Sequence, residues 1–186
     1  MSTSSPTVIP GYVAGTWDID ATHSDVSFSV RHMMVSKVRG RFNDVSGRIV
    51  TGADLLDSAV TADIDVNSFD TGNVQRDEHI RSADFLHVGQ FPTMTYRSTG
   101  VRRDGDALVV DGELTLRGIT RQVPLTVEVN GFGPDPYGGT RAGFSATTKI
   151  NRKDFGIDIE LPLDGGGVVI GDTIQISLDI EAVLMP

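Results

Sequence analysis

The chain contains no cysteine in its 186 residues. Disulfide bonds, thiolate catalysis and thiolate metal ligation are therefore excluded, while the redox compartment stays open. Cations are also scarce, with 16 Lys+Arg against 25 Asp+Glu and a formal charge of −9. That sign repels phosphate backbones, so nucleic acid is not an expected partner, and it gives no general attraction to anionic lipid surfaces. No run of about 18 apolar residues occurs, so the chain is not expected to span a membrane as a helix. Met1 to Gly15 shows no basic region, apolar run or small-residue cleavage signal, which leads to the expectation of an unexported, cytoplasmic protein. Residues 1–14, with Ser2, Thr3, Ser4, Ser5, Pro6 and Pro10, read as a flexible leader, and residues 15–186 as one domain.

Helical periodicity is nearly missing too. In its place runs a period-two alternation that puts one set of side chains on each face of a strand. Ile174, Ile176, Leu178, Ile180 and Ala182 alternate with Gln175, Ser177, Asp179 and Glu181. Val60, Ala62, Ile64 and Val66 repeat the pattern, as do Leu108, Val110, Leu114 and Leu116. Shorter versions occur at Trp17 and Ile19, Val26 to Val30, Met94 and Tyr96, Val123 to Val129, and Phe144 to Ile150. Between Lys37 and Val50 the parity slips at Asn43 and Asp44, which predicts a bulge or sharp bend. Turn-rich stretches at 103–106, 131–139 and Gly165-Gly166-Gly167 separate the strands. The exception is Asn73 to Val88, free of Gly and Pro, which predicts one or two short helices. The fold class is thus all-β and antiparallel, with eight or nine strands. Alternation alone does not decide between a closed barrel and a sandwich.

Four histidines raise the question of a metal or acid–base site. Their spacing argues against one. His23 and His32 have opposite parity, and His79 and His87 would stand roughly 80° apart on a continuous helix, unlike an i, i+4 pair. No nucleophile elbow, HExxH motif or dinucleotide fingerprint is present, and Gly165-Gly166-Gly167 lacks the Lys-Ser/Thr of a phosphate loop. Neither a catalytic residue nor a metal ligand is assigned. Lys37, Arg39 and Arg41 alternate with Val38, Gly40 and Phe42, so the cations form an outward ladder if the apolar set faces in. That ladder, with Arg31, is either a solvated face or a place for a phosphate head group, an acidic partner or a membrane patch.

Several spaced motifs make the reading more specific: HSDVSFSVRHMMVSKVRGRF at 23–42, RDEHIRSADFL at 76–86, FPTMTY at 91–96 and GELTLRGITRQVPL at 112–125. With Asn151-Arg152-Lys153-Asp154-Phe155-Gly156 and the last strand, they resemble the YceI-like, polyisoprenoid-binding family from Trp17 to Ala182. The Gly15-Thr16-Trp17 start is similar to the lipocalin G-x-W pattern. The resemblance implies a bacterial protein with an up-and-down, lipocalin-like β-barrel holding a long apolar ligand, a polyisoprenoid or isoprenoid quinone. It implies no cofactor beyond that lipid, and homodimerisation is left open. An enzyme acting on a lipid or isoprenoid, or a stress-related module working through its outer surface, are the competing functions.

The expected apolar lining is Val26, Phe28, Val30, Val38, Phe42, Ile64, Phe85, Tyr96, Leu114, Phe144, Ile150, Ile176 and Leu178. His32, which continues the parity of Val30, and Arg76 and His79, in a run placed to cap the barrel mouth, are the polar candidates for contact with a ligand.

Overall fold

The computed structural model describes residues 9–33, 35–159 and 170–186. The start of the leader, Met34 and the triple-glycine turn lie outside them. The strands are β1 (Gly15–Ile19), β2 (Asp25–His32), β3 (Ser36–Phe42), β4 (Val45–Thr51), β5 (Ala59–Asp65), β6 (Phe69–Asp70), β7 (Thr93–Asp104), β8 (Ala107–Leu116), β9 (Ile119–Gln122), β10 (Leu125–Pro134), β11 (Thr140–Asn151) and β12 (Ile170–Leu184). One helix, α1 (Val74–Arg81), interrupts them.

These strands build eight walls of a closed antiparallel barrel, because several walls are long strands broken near the middle. Both β1 and β2 pair with β12, with Trp17 opposite Leu184 and Val26 opposite Leu178. On their other side β1 pairs with β4 and β2 with β3. In turn, β4 pairs with β5 and β3 with β6. Likewise β9 and β10 divide the length of β8 between them. Around the barrel the walls follow chain order and return from β12 to β1, so the alternation of the sequence resolves into an up-and-down barrel. Closure leaves no wall without a partner, which removes the exposed edges an open sheet would carry.

The breaks have local causes. Asp20 accepts from the backbone of Thr22 and caps a 3₁₀ turn at Ala21–His23, separating β1 from β2. The parity slip at Asn43 and Asp44 is the junction of β3 with β4. There the Asn43 N–H donates to the Ser68 carbonyl at 3.2 Å and the Asp44 N–H to Ser68 Oγ at 3.0 Å. The bend is thereby tied to the matching break between β5 and β6. At the turn into β9, Arg117 and Gly118 both have positive φ, 53° and 72°, as a tight hairpin requires. Arg117 is held there by bonds from its guanidinium to the carbonyls of Gly156 and Ala83.

Of the segment expected to be helical, only Val74–Arg81 is. Asn73 caps it by accepting from the Arg76 N–H. Beyond Arg81 the chain turns back and buries Phe85 and Leu86 in the main core. A smaller cluster of Trp17, Ala142 and Ala182 fills the end formed by the start of β1 and the end of β12. Tyr12, within the expected leader, packs edge-on against Phe132 and donates to the Gly52 carbonyl at 2.6 Å.

Candidate functional site: an apolar cavity in the barrel

Inside the main cluster lies a cavity of about 290 Å³. Protein interiors rarely leave voids much larger than a water molecule, so a space of this size amid apolar side chains is a ligand-sized feature. Its lining comes from every wall, because each strand sends alternate residues inward. Ile174, Ile176, Leu178 and Ile180 of β12 all reach it, while Gln175, Ser177 and Asp179 face out. Several inward residues, including Phe28, Phe42 and Ile176, are only half-buried although they point to the centre.

One side is aromatic. Phe28, Phe42 and Phe69 pack together with ring centroids 5.3 to 5.7 Å apart, across β2, β3 and β6. A Cβ at position 40 would lie 2.4 Å from the Phe28 ring, so Gly40 is what allows that ring to lie flat against β3. Near α1 the cavity is closed by Ile80, Phe85 and Leu86, and by Ile157 beyond β11.

The buried polar side chains at the lining, Tyr96, Thr51 and Arg152, are already engaged by the protein. The Tyr96 hydroxyl donates to the Val123 carbonyl at 2.8 Å, and burial pushes its pKa well above the ordinary phenol value. Thr51 Oγ1 donates to the Val13 carbonyl and accepts from Trp17 Nε1 at 2.9 Å. Arg152 is 2% exposed, yet its guanidinium donates to the carbonyls of Ile157, Ile159 and Gly171 and pairs with Asp172. Its charge is used to fasten the chain after β11 to β12.

All the residues expected to line the interior do so except Val38. Val38 is half-buried opposite Val30, but over this part of β3 the only described neighbour is β2, so the hairpin projects past the wall that encloses the cavity. His32 is also outside the lining. It ends β2, where the pairing with β12 slips between Ile170 and Ile174, so the parity of Val30 no longer carries inward. Arg76 donates to the Thr71 hydroxyl and carbonyl, and His79 Nε2 lies 3.1 Å from Asp84. Neither borders the cavity. The Arg76 to His79 run instead fixes the start of α1: buried Asp77 accepts from the Thr71 N–H and hydroxyl.

Residues the alternation did not disclose lie off the strands, namely Leu55 on a 3₁₀ turn, Ile80 on α1, Leu86 and Ile157 in the connections after α1 and β11, and buried Arg152. Arg152 sits in a motif noted from the sequence, but nothing in its spacing signals burial.

Among the described residues, Asp20, His23 and Glu181 stand close enough to share a metal ion. Arg141 already occupies that position, 2.8 Å from Asp20 and 3.5 Å from Glu181. The Arg141 bond, with help from His23, holds the Asp20 carboxyl at about 2. This is an ion-pair cluster tying β11 to the β1–β2 break.

The YceI-like domain model matches residues 17–182, nearly the whole barrel. The chain belongs to the YceI-like family. Its relatives include Protein YceI of Salmonella newport, 43% identical over 153 residues that cover 80% of each chain. Among solved structures, Burkholderia cenocepacia BcnA superimposes with a TM-score of 0.76 at 22% identity, over 88% of this chain and 98% of that one. A polyisoprenoid binding domain from Saccharophagus degradans, implicated in plant cell wall breakdown, does so with a TM-score of 0.69 at 18% identity, covering 93% and 100%. At those identities the two structures share the YceI-like fold with this chain, and the closed eight-walled barrel is common to them.

Proposed function

We propose that this YceI-like barrel holds a long apolar ligand, a polyisoprenoid or isoprenoid quinone, and acts as a carrier or sequestering protein rather than a catalyst. The observation that carries the reading is the cavity of about 290 Å³, lined by apolar side chains from all walls. Such a lining offers area and shape and few free polar groups, which suits a hydrocarbon chain. Burying roughly 500 Å² of apolar ligand surface would contribute on the order of 12 kcal/mol before association costs. The fold shared with the Saccharophagus polyisoprenoid binding domain supports the choice of ligand class. The non-catalytic reading is supported by the prior engagement of Tyr96, Thr51 and Arg152 in the fold.

The test is native mass spectrometry of protein purified from a bacterial host, followed by organic extraction. The expected result is a bound lipid released chemically unchanged, with Phe28→Asp or Phe42→Asp greatly reducing retention in a folded chain. Empty protein that also ignores prenyl alcohols and quinones in titration would overturn the proposal. Turnover of the extracted lipid would replace the carrier by an enzyme.

A further inference from the structure

The β2–β3 hairpin carries its cations on one face. Lys37, Arg39 and Arg41 are all exposed, and exposed Arg31 stands directly opposite Lys37. Like charges placed opposite each other on neighbouring strands are destabilising, so folding gives no reason for this arrangement. Among the described residues, Arg31, Lys37 and Arg39 have no ion pair, whereas Arg41 lies 3.8 Å from Asp25.

The register extends this face across two more walls. Ser29 lies opposite both Arg39 and Gln175, and Gln175 lies opposite Lys149 of β11. The next row, Arg41, Ser27, Ser177 and Thr147, carries a single cation. Acidic residues border the field: Asp70 ends that row, Asp25 opposite Asp179 forms the row beyond it, and Asp172 lies in the β12 bulge between the partners of His32 and Val30, where Arg152 and Lys153 pair with it. A cationic field therefore occupies one part of a chain whose formal charge is −9.

At the tip of the same hairpin, two apolar side chains face solvent: Met33 is 46% exposed and Val35 88%. A soluble anionic partner would satisfy the cations and leave Val35 in water. A bilayer with anionic head groups uses both, since phosphates meet the cations while short apolar side chains enter the interface. The acidic remainder of the chain would be repelled from such a surface, which fixes the orientation of approach.

We propose that the β2–β3 hairpin is a docking surface for an anionic phospholipid bilayer, with Arg31, Lys37 and Arg39 among the head groups and Met33 and Val35 in the interface. The inner face of β2 carries Phe28 and Val30 at the cavity, so docking brings the lipid surface to one wall of the site.

Vesicle flotation tests this. The full chain should bind phosphatidylglycerol/phosphatidylcholine vesicles at low ionic strength and not pure phosphatidylcholine, and about 0.5 M salt should release it. Each cation near an anionic surface contributes about fivefold in affinity, so Lys37→Glu with Arg39→Glu should weaken binding by about thirtyfold or more. Val35→Asp should also weaken it. Arg97→Glu with Arg121→Glu, exposed cations on β7 and β9, should leave it unchanged. Failure to bind the anionic vesicles, or equal losses from both pairs of reversals, would overturn the proposal. Loss in the Lys37/Arg39 variant with full retention in Val35→Asp would overturn the placement of the hairpin tip in the interface.

Discussion

Tyr96 lies over Gly112 across the β7–β8 ladder, so close that a Cβ at position 112 would sit 2.5 Å from the ring carbon Cζ. The contact lets the phenol cross β8 and reach the Val123 carbonyl at the break between β9 and β10. A single aromatic residue thus closes one end of a hydrogen bond that the broken ladder cannot supply. Gly112→Ala should destabilise the barrel by about 1–3 kcal/mol through overpacking. Tyr96→Phe, which leaves the ring and strands the carbonyl, should cost about 1 kcal/mol. Urea unfolding followed by Trp17 fluorescence measures both, and a neutral Gly112→Ala would show that the ring moves aside freely.

Arg152 is expected to matter more than its position near a strand end suggests. Arg152→Met keeps much of the side-chain length but leaves the carbonyls of Ile157, Ile159 and Gly171 short of their donor. The expected loss is about 3 kcal/mol, with faster hydrogen exchange at Ile157 and Ile159 before the rest of the barrel. Unchanged exchange there would separate Arg152 from the anchoring of that segment.

The Asp20 cluster gives a pH dependence with a definite sign. Its carboxyl is lowered from 3.8 to about 2, chiefly by the Arg141 hydrogen bond and then by His23. Between those values the unfolded chain binds a proton that the folded chain does not, so stability falls as pH drops through the window. Thermal melts should show Asp20→Asn to be less stable than the parent at neutral pH. They should also show a shallower decline on acidification below pH 3.8. Parallel curves would mean that other carboxylates carry the acid response.

Alternation identified the wall residues because a closed barrel applies one rule along each strand: inward side chains meet an apolar space and outward ones meet water. The rule failed at Val38 and His32, where a wall ends or its pairing slips, since parity says which side a residue takes and nothing of how far the enclosure extends. It was also silent for Ile80, Leu86 and Ile157, whose positions depend on where α1 and the connections after α1 and β11 fold back. The break at Asn43 and Asp44 was visible as a parity slip, whereas its cause, the bonds to Ser68, joins residues too distant in sequence to be read from spacing.

Ala62 offers a way to separate filling from folding. It faces the cavity from β5, opposite Gly47 and Tyr96, and is half-buried. Ala62→Leu should occupy space otherwise open to ligand, reducing lipid uptake while holding or raising the melting temperature of the empty protein. Native mass spectrometry and calorimetry on the same sample check it. A fall in stability with full uptake would place the ligand away from this wall.

The closure of the barrel by β12 has a kinetic consequence. The Ser24 hydroxyl donates to the Glu181 carbonyl across 157 residues of chain, the Ser27 hydroxyl to the Ser177 carbonyl across 150, and the whole seam from β2 to β12 joins residues remote in sequence. Native pairing of the first strands on that side must wait for the last strand to be synthesised, and contacts so remote in sequence form slowly. Until then the nascent sheet presents two unpaired edges and an open apolar face, the features that invite association with other chains.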